Sequence, residues 1–247
     1  AKTLGLQRPS QAGWVFLGAN VLARAMAKIF REDGQEVVCI DANADHCQAA
    51  ENDCTRVIYG NGLQTRTLLR AEIDTRRGAL ALTANDEINY LFIQKVKEQA
   101  KNIFLGTSLK YNPASLTPGM LHKTGAELLF GAPVDIELWE RRFQSEQVRL
   151  QLWQYLPPKK TKSDFLPSDL TEKERFGVAL RRNNQLTPLT NAIEFKKNDE
   201  VFLFVHEADI ETTAGFLQEQ GWRQLDGQSD RKAFTTSTCS LKEGNPD

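Results

Sequence analysis

The sequence lacks the long apolar runs of a membrane protein. No stretch approaches the ~20 residues that a spanning helix needs, and no signal peptide is evident. It also lacks an excess of either charge, since 31 basic and 32 acidic residues leave a net charge of −1, so no nucleic-acid partner is indicated. With 247 residues, the chain is long enough for one large or two modest domains. We expect it to be soluble by itself.

Cysteine and histidine are scarce and dispersed. No Cys/His cluster has the spacing of a zinc site, and no histidine has a nearby partner that suggests a catalytic triad. The sequence therefore predicts neither a metal site nor a catalytic residue, and a reducing cytosolic setting. The residues in question are Cys39, Cys47, Cys54 and Cys239, and His46, His122 and His206.

The clearest pattern runs from Gly13 to Asp41. An apolar run, Trp14 to Leu17, meets a turn at 18–20, and a helix follows whose apolar residues recur every three or four positions. Gly34 is placed to end that helix, and a second apolar run ends on Asp41. Strand, turn, helix, strand and acid form the first half of a nucleotide-binding βαβ unit.

This unit has the chemistry to hold a nucleotide. The N-terminus of the helix offers unpaired N–H groups to phosphate, and Asp41, 23 residues after Gly18, is placed to accept hydrogen bonds from ribose. The glycine fingerprint is incomplete, because Asn20 stands where the middle glycine is expected and Ala23 supplies the closing small residue. Two interpretations stay open, a nucleotide site and a degenerate one.

Strands and helices then alternate. Strands are predicted at 56–59, 79–83, 102–106 and 127–131, and helices at 44–51, 65–71 and 86–100. This order favours an α/β fold, a Rossmann-like doubly wound parallel sheet, with ligands at the carboxyl edge of the strands. Asn85 fits either a nucleotide contact or a helix cap. The candidate nucleotide-binding residues at that edge are Gly18, Ala19, Asn20, Val21, Asp41, Ala42, Gly60, Asn61, Thr83, Ala84 and Asn85.

The pattern changes after residue 133. A long helix is predicted at 134–156, which either covers the sheet or pairs with a second copy. We predict a linker at 157–165, a small α+β domain at 166–225 and a polar tail at 226–247, with a first domain at 12–156 after a disordered or linking segment at 1–11. The apolar stripe of the long helix comprises Ile136, Trp139, Phe143, Leu150 and Trp153.

Three segments carry a resemblance to a known family. Tyr59-Gly60-Asn61-Gly62 with the following helix, Ala81 to Asn89, and Phe176 to Val205 resemble the potassium-transport regulatory domain family (RCK/KTN domains, TrkA-N with a TrkA-C-like domain). Such domains regulate K⁺ channels, K⁺ uptake systems and cation/proton antiporters. The sequence departs from the family at Asn20 and at Asn61, which replaces the usual acid.

The resemblance implies a ligand and partners. It implies NAD(H) or an adenine nucleotide (AMP, ADP or ATP) as the effector, and homodimers through the crossover helix at 134–156. It further implies a membrane transporter domain attached before Ala1, at the cytoplasmic face of the inner membrane.

The function that we expect is regulatory and non-catalytic. Nucleotide binding would shift the conformation of a monovalent cation transporter. Two alternatives from other classes stay open: a small NAD-dependent oxidoreductase, and a nucleotide-free dimerisation scaffold.

Overall fold

The computed structural model describes residues 12–110, 118–157, 165–225 and 231–232, which form two sheets with their helices. The first part of the chain alternates strands and helices as expected. Its elements are β1 (Trp14–Leu17), α1 (Val21–Glu32), β2 (Val37–Asp41), α2 (Ala44–Asn52), β3 (Arg56–Tyr59), α3 (Thr65–Arg70), β4 (Gly78–Ala81), α4 (Asp86–Gln99), β5 (Phe104–Thr107), α5 (Pro118–Thr124) and β6 (Glu127–Leu128).

The first sheet is parallel throughout and has the order β3-β2-β1-β4-β5-β6. Its inner strands are short, largely apolar runs that are buried on both faces, as parallel strands covered by helices must be. The edge strand β3 is partly exposed. One apolar cluster lies on the face covered by α1 and a second on the face covered by α3 and α4. The predicted Rossmann-like fold is confirmed, and the strand order reverses between β1 and β4.

The prediction of one long helix at 134–156 is wrong. Helix α6 (Ile136–Gln144) ends after nine residues, and strand β7 (Val148–Tyr155) follows it. A turn separates the two elements, in which Glu146 takes a left-handed conformation with φ of 56°. Beyond the turn the apolar residues alternate with period two, which is a strand pattern.

The expected dimer stripe lies inside the chain. Its members Ile136, Trp139, Phe143, Leu150 and Trp153 are all 7% exposed or less. The ring centroids of Trp139 and Phe176 are 4.6 Å apart, so the part of the stripe on α6 packs against the second sheet. Leu150 and Trp153 are themselves members of that sheet. These side chains are not available on the surface for pairing with a second copy.

The second sheet is antiparallel, with the order β11-β7-β10-β8-β9, and β12 pairs with β7. One face shares an apolar cluster with α1 and α6, and the other face is covered by α7 and a group of aromatic residues. The sheet already begins at β7, before the predicted linker. Its remaining elements are β8 (Arg175–Arg182), β9 (Gln185–Pro188), β10 (Glu200–His206), α7 (Ile210–Glu219), β11 (Trp222–Gln224) and β12 (Arg231–Lys232).

The two sheets are joined by backbone hydrogen bonds as well as by the shared core. Beside β6, Phe130 N–H donates to Leu189 O at 2.8 Å and Asn191 N–H donates to Leu128 O at 3.0 Å. These bonds pair the β6 edge of the parallel sheet and join it to the second sheet, which stays a separate sheet. The predicted segments 1–11, 158–164 and most of 226–247 lie outside the described residues.

Two further observations bear on the expectations from the sequence. Within the described ranges, no helix combines the length and the apolar character needed to cross a bilayer. Cys39 and Cys47 are free thiols, whereas Cys54 is disulfide-bonded, which the sequence analysis did not predict.

Candidate functional site

The turn from β1 into α1 lies at the point where the strand order reverses. Gly18 has φ of +103°, and a Cβ there would lie 3.3 Å from the carbonyl oxygen of Leu82. Only glycine fits this combination of conformation and close approach without strain. Gly18, the first residue of the predicted fingerprint, therefore has the structural role in a tight turn that is expected of glycine.

Asn20 lies across the crevice between the first turn and β4. It is 4% exposed, its Oδ1 accepts a hydrogen bond from Ala23 N–H at 2.8 Å, and its Nδ2 donates to Leu82 O at 2.8 Å. The side chain therefore caps α1 and ties it to the end of β4. The Asn20 side chain thus accepts from the Ala23 N–H, one of the groups that would otherwise face a phosphate. The N–H groups of Val21 and Leu22 donate to no acceptor among the described residues.

Asp41, at the end of β2, is already engaged. Its Oδ2 accepts from Ala19 N–H at 2.7 Å and lies 3.0 Å from His46 Nδ1, and its Oδ1 accepts from Asn43 N–H at 2.9 Å. A carboxylate offers about four acceptor positions, so about one is left for a ribose hydroxyl. Asp41, the acid that was predicted to bind ribose, thus also holds the glycine turn in place.

Helix α6 brings a second acid to this corner. Burial raises the pKa of the Glu140 carboxyl, and the neighbouring charges of Glu137 and Asp41 raise it further, while His46 opposes them. The sequence analysis missed Glu140, because its 99-residue separation from Asp41 and the wrong helix assignment hid its proximity. Arg24, whose Nη1 donates to Ala19 O at 3.2 Å, is ion-paired with Asp53 at 2.7 Å. Asp41 and Glu140 therefore give the corner an acidic character, which disfavours a phosphate there.

A buried amide organises the end of β4. Asn89, which is 0% exposed, accepts from the Thr83 hydroxyl at 2.6 Å and donates to Thr83 O at 2.9 Å. Asn85 Oδ1 accepts from Ile88 N–H at 2.9 Å and caps α4. Of the two interpretations of Asn85, a nucleotide contact and a helix cap, the structure shows the helix cap. Thr83 holds this loop together through contacts within the chain.

The open part of the edge lies beside β3. A pocket of about 480 Å³ is bordered by residues from the ends of β2 and β3 and from α3. It contains three of the predicted residues, Ala42, Gly60 and Asn61, whereas none of the predicted residues of the first turn or of β4 lines it. Arg66 and Arg70 of α3, which are both exposed, line the same pocket.

Comparisons with known proteins come from a family model and from solved structures. Residues 14–116 match the family described as the TrkA-N domain. No curated protein matches the chain significantly.

Several solved structures have a similar fold. The TrkA-N domain of inner membrane protein ybaL from Escherichia coli is 10% identical, with a TM-score of 0.45, over 55% of this chain and 96% of that chain. The GsuK channel bound to NAD is 12% identical, with a TM-score of 0.43, over 90% of this chain and 41% of that chain. The NAD(P)-binding domain of an exopolyphosphatase-related protein from Archaeoglobus fulgidus is 11% identical, with a TM-score of 0.44, over 55% of this chain and 97% of that chain.

Proposed function

Residues 14–116 are a TrkA-N domain, and from this premise we propose that the chain is a cytosolic regulatory module. It binds a nucleotide and thereby biases the conformation of a monovalent cation transporter. The observation that carries the proposal is the arrangement of this domain at its carboxyl edge, where the acid of β2 adjoins an open pocket of about 480 Å³. Parallel sheets of this order bind ligands at that edge.

The mechanism that we propose is a shift in population between two arrangements of the module. A nucleotide that binds one arrangement better favours it by the difference in affinity, and coupling of ~1–3 kcal/mol is typical. Helix α1 is the element suited to carry the signal. Its N-cap Asn20 lies at the site, and its C-cap Asp33 accepts from Arg181 of the second sheet at 3.1 Å.

We propose no catalysis for this module. Burial raises the pKa of the Cys39 thiol to about 12, so this group near the edge is not a thiolate at neutral pH. His46 is held by Asp41 with no nucleophile paired to it among the described residues. A regulatory role requires neither group to react.

A second candidate is supported by the contacts of the glycine turn. The Ala23 N–H, bonded to Asn20, and the Asp41 carboxylate, bonded to Ala19, are two groups that a pyrophosphate or its ribose would use. These contacts favour an assembly scaffold in which the Rossmann shell binds no nucleotide.

Titration calorimetry separates the two candidates. NADH, NAD, AMP, ADP and ATP are each titrated into the protein, and saturable heat from at least one supports the regulatory module. The absence of heat from all five overturns it in favour of the scaffold. The attachment to a transporter is tested separately by the genomic reading frame upstream of Ala1, where hydrophobic spans support the proposal and their absence contradicts it.

A further inference from the structure

Two arginines of α3 give the ligand edge a positive patch. Arg66 and Arg70 are one helical turn apart and both line the pocket beside β3. Arg66 Nε donates to the Gln64 amide oxygen at 3.0 Å. Neither arginine forms an ion pair with any residue in the described ranges, and no carboxylate lines the pocket.

This pair contrasts with arginines elsewhere in the chain. Arg76 is neutralised by Glu36 and Glu72, at 2.6 and 2.8 Å, and Arg182 by Asp199 at 2.6 Å. Two adjacent guanidinium groups without a partner carboxylate make the pocket positive, and guanidinium is the group best suited to grip phosphate in a bidentate manner.

The glycine turn has the opposite character. Asp41 accepts from the Ala19 amide, Asn20 from the Ala23 amide, and Glu140 adds a second acid nearby. A phosphate there would meet carboxylates and find two of its amide donors already in use.

We propose that the phosphate of a mononucleotide effector binds to Arg66 and Arg70 in the pocket beside β3. This inference rests on the proposed function and specifies which end of the effector is recognised and where. Ala42, which follows Asp41 in the chain, borders the same pocket, and in this proposal the remaining acceptor position of Asp41 serves a sugar hydroxyl of the same ligand. A phosphorylated mononucleotide, rather than the bare nucleoside, is the ligand class.

The test compares AMP with adenosine by calorimetry on three proteins: the wild type, the double variant Arg66→Gln/Arg70→Gln, and the control Arg223→Gln. Arg223 is exposed on β11 and bonds only to Gln154 among the described residues, so the control removes a charge far from the pocket. Glutamine has a helix propensity close to that of arginine, and circular dichroism verifies that each variant is folded.

The wild type and the control are expected to bind AMP at least about tenfold more tightly than adenosine, the scale of one charged hydrogen bond. In the double variant, the affinity for AMP falls to the affinity for adenosine, and the affinity for adenosine is unchanged. An AMP preference that survives in the double variant overturns the inference. NAD or ATP that binds with equal affinity to all three proteins also overturns it, while leaving the proposed function intact. If none of these ligands binds the wild type, the proposed function fails and the inference with it.

Discussion

Asn20 Nδ2 donates a 2.8 Å hydrogen bond to the carbonyl oxygen of Leu82, and this contact joins the two strands that flank the reversal of strand order. Asn20 precedes α1 and Leu82 follows β4, so the bond spans the position where a Rossmann sheet is normally open. The substitution of glycine by asparagine in the fingerprint therefore adds a structural contact and removes access at the same time.

Replacing Asn20 by glycine separates these two effects. Asn20→Gly completes the Gly18-x-Gly-x-x-Ala23 fingerprint and frees the Ala23 N–H, so we expect NAD to bind about tenfold more tightly. Loss of the cap and of the bond to Leu82 is expected to lower the free energy of unfolding by about 1–3 kcal/mol. Calorimetry with NAD and urea unfolding measure the two quantities.

The matched control for this change is Asn20→Ser, which retains a side-chain cap on α1 but is too short to reach Leu82. It is expected to lose less stability than the glycine variant. A glycine variant that loses stability without any gain in NAD affinity would contradict the view that Asn20 limits access, and would favour the scaffold.

Removal of the carboxylate at Asp41 is expected to abolish recognition of ribose. In the wild type, adenosine should bind at least about tenfold more tightly than 2′,3′-dideoxyadenosine, the scale of one hydrogen bond to a charged group. In Asp41→Ala the two ligands should bind equally, because the acceptor is gone. The affinities of both ligands for both proteins are measured by calorimetry.

The same substitution leaves the Ala19 N–H, a buried group, without its acceptor, so we also expect a loss of about 1–3 kcal/mol of stability. Asn43→Ala serves as the control, since it removes the neighbouring cap of α2 and keeps the carboxylate. A difference between the two ligands that persists in Asp41→Ala would refute the ribose role.

The first sheet was predictable because its strands are short apolar runs separated by Gly, Asn and Asp turns. The parallel order followed from the alternation with helices. The segment after Gln144 was not predictable in the same way. Ile136, Trp139 and Phe143 do have helical spacing, and Leu150 and Trp153 continued it by coincidence, although they belong to a strand. The turn that separates them depends on Glu146 in a left-handed conformation, which glutamate rarely adopts.

The candidate site was predictable residue by residue but not as a set of contacts. The positions of Gly18 and Asp41 follow from the local pattern. The bond from Ala19 to Asp41, the closure by Asn20 and the approach of Glu140 depend on tertiary packing between elements up to a hundred residues apart. Periodicity contains no information on such contacts.

Trp139 tests whether the two sheets unfold together. Its ring is 2% exposed and lies in edge contact with Phe176 of β8, so Trp139→Ala is expected to lower the free energy of unfolding by about 3–5 kcal/mol. Because α6 packs between α1 and the second sheet, urea should still give one cooperative transition, at lower denaturant. Leu166→Ala, at a side chain that is 57% exposed, is the control and should have little effect.

Sedimentation of the same variants tests the dimerisation stripe that was predicted from the sequence. A stripe used for dimerisation would change the association state when Trp139 is truncated. We expect no change, because the side chain lies within the chain. A shift from dimer to monomer with unaltered unfolding would contradict the packing described above.

Glu140 makes stability depend on pH in a direction that the structure fixes. Burial raises the pKa of its carboxyl above the ordinary 4.5, so the folded state holds this proton more tightly than the unfolded state does. The contribution of this carboxyl to the free energy of unfolding therefore falls as the pH rises above 4.5. It reaches its lowest value once the pH exceeds the raised pKa of the folded state. Glu140→Gln removes this decrease, since an amide does not ionise. The variant should therefore unfold at higher urea than the wild type at pH 7, with the difference shrinking as pH falls toward 4.5.

Glu219→Gln provides the control for net charge, because Glu219 is exposed on α7, which covers the face of the second sheet opposite to α6. It should show no such dependence on pH. The double variant Glu140→Gln/Asp41→Asn adds a further check, because the Asp41 charge contributes to raising the pKa of Glu140. With Asp41 neutral, the benefit of removing the Glu140 charge at pH 7 should be smaller than in the wild-type background. Equal benefits in both backgrounds would mean that the Asp41 charge does not contribute to the raised pKa of Glu140, and that the two acids do not interact across the mouth of the glycine turn.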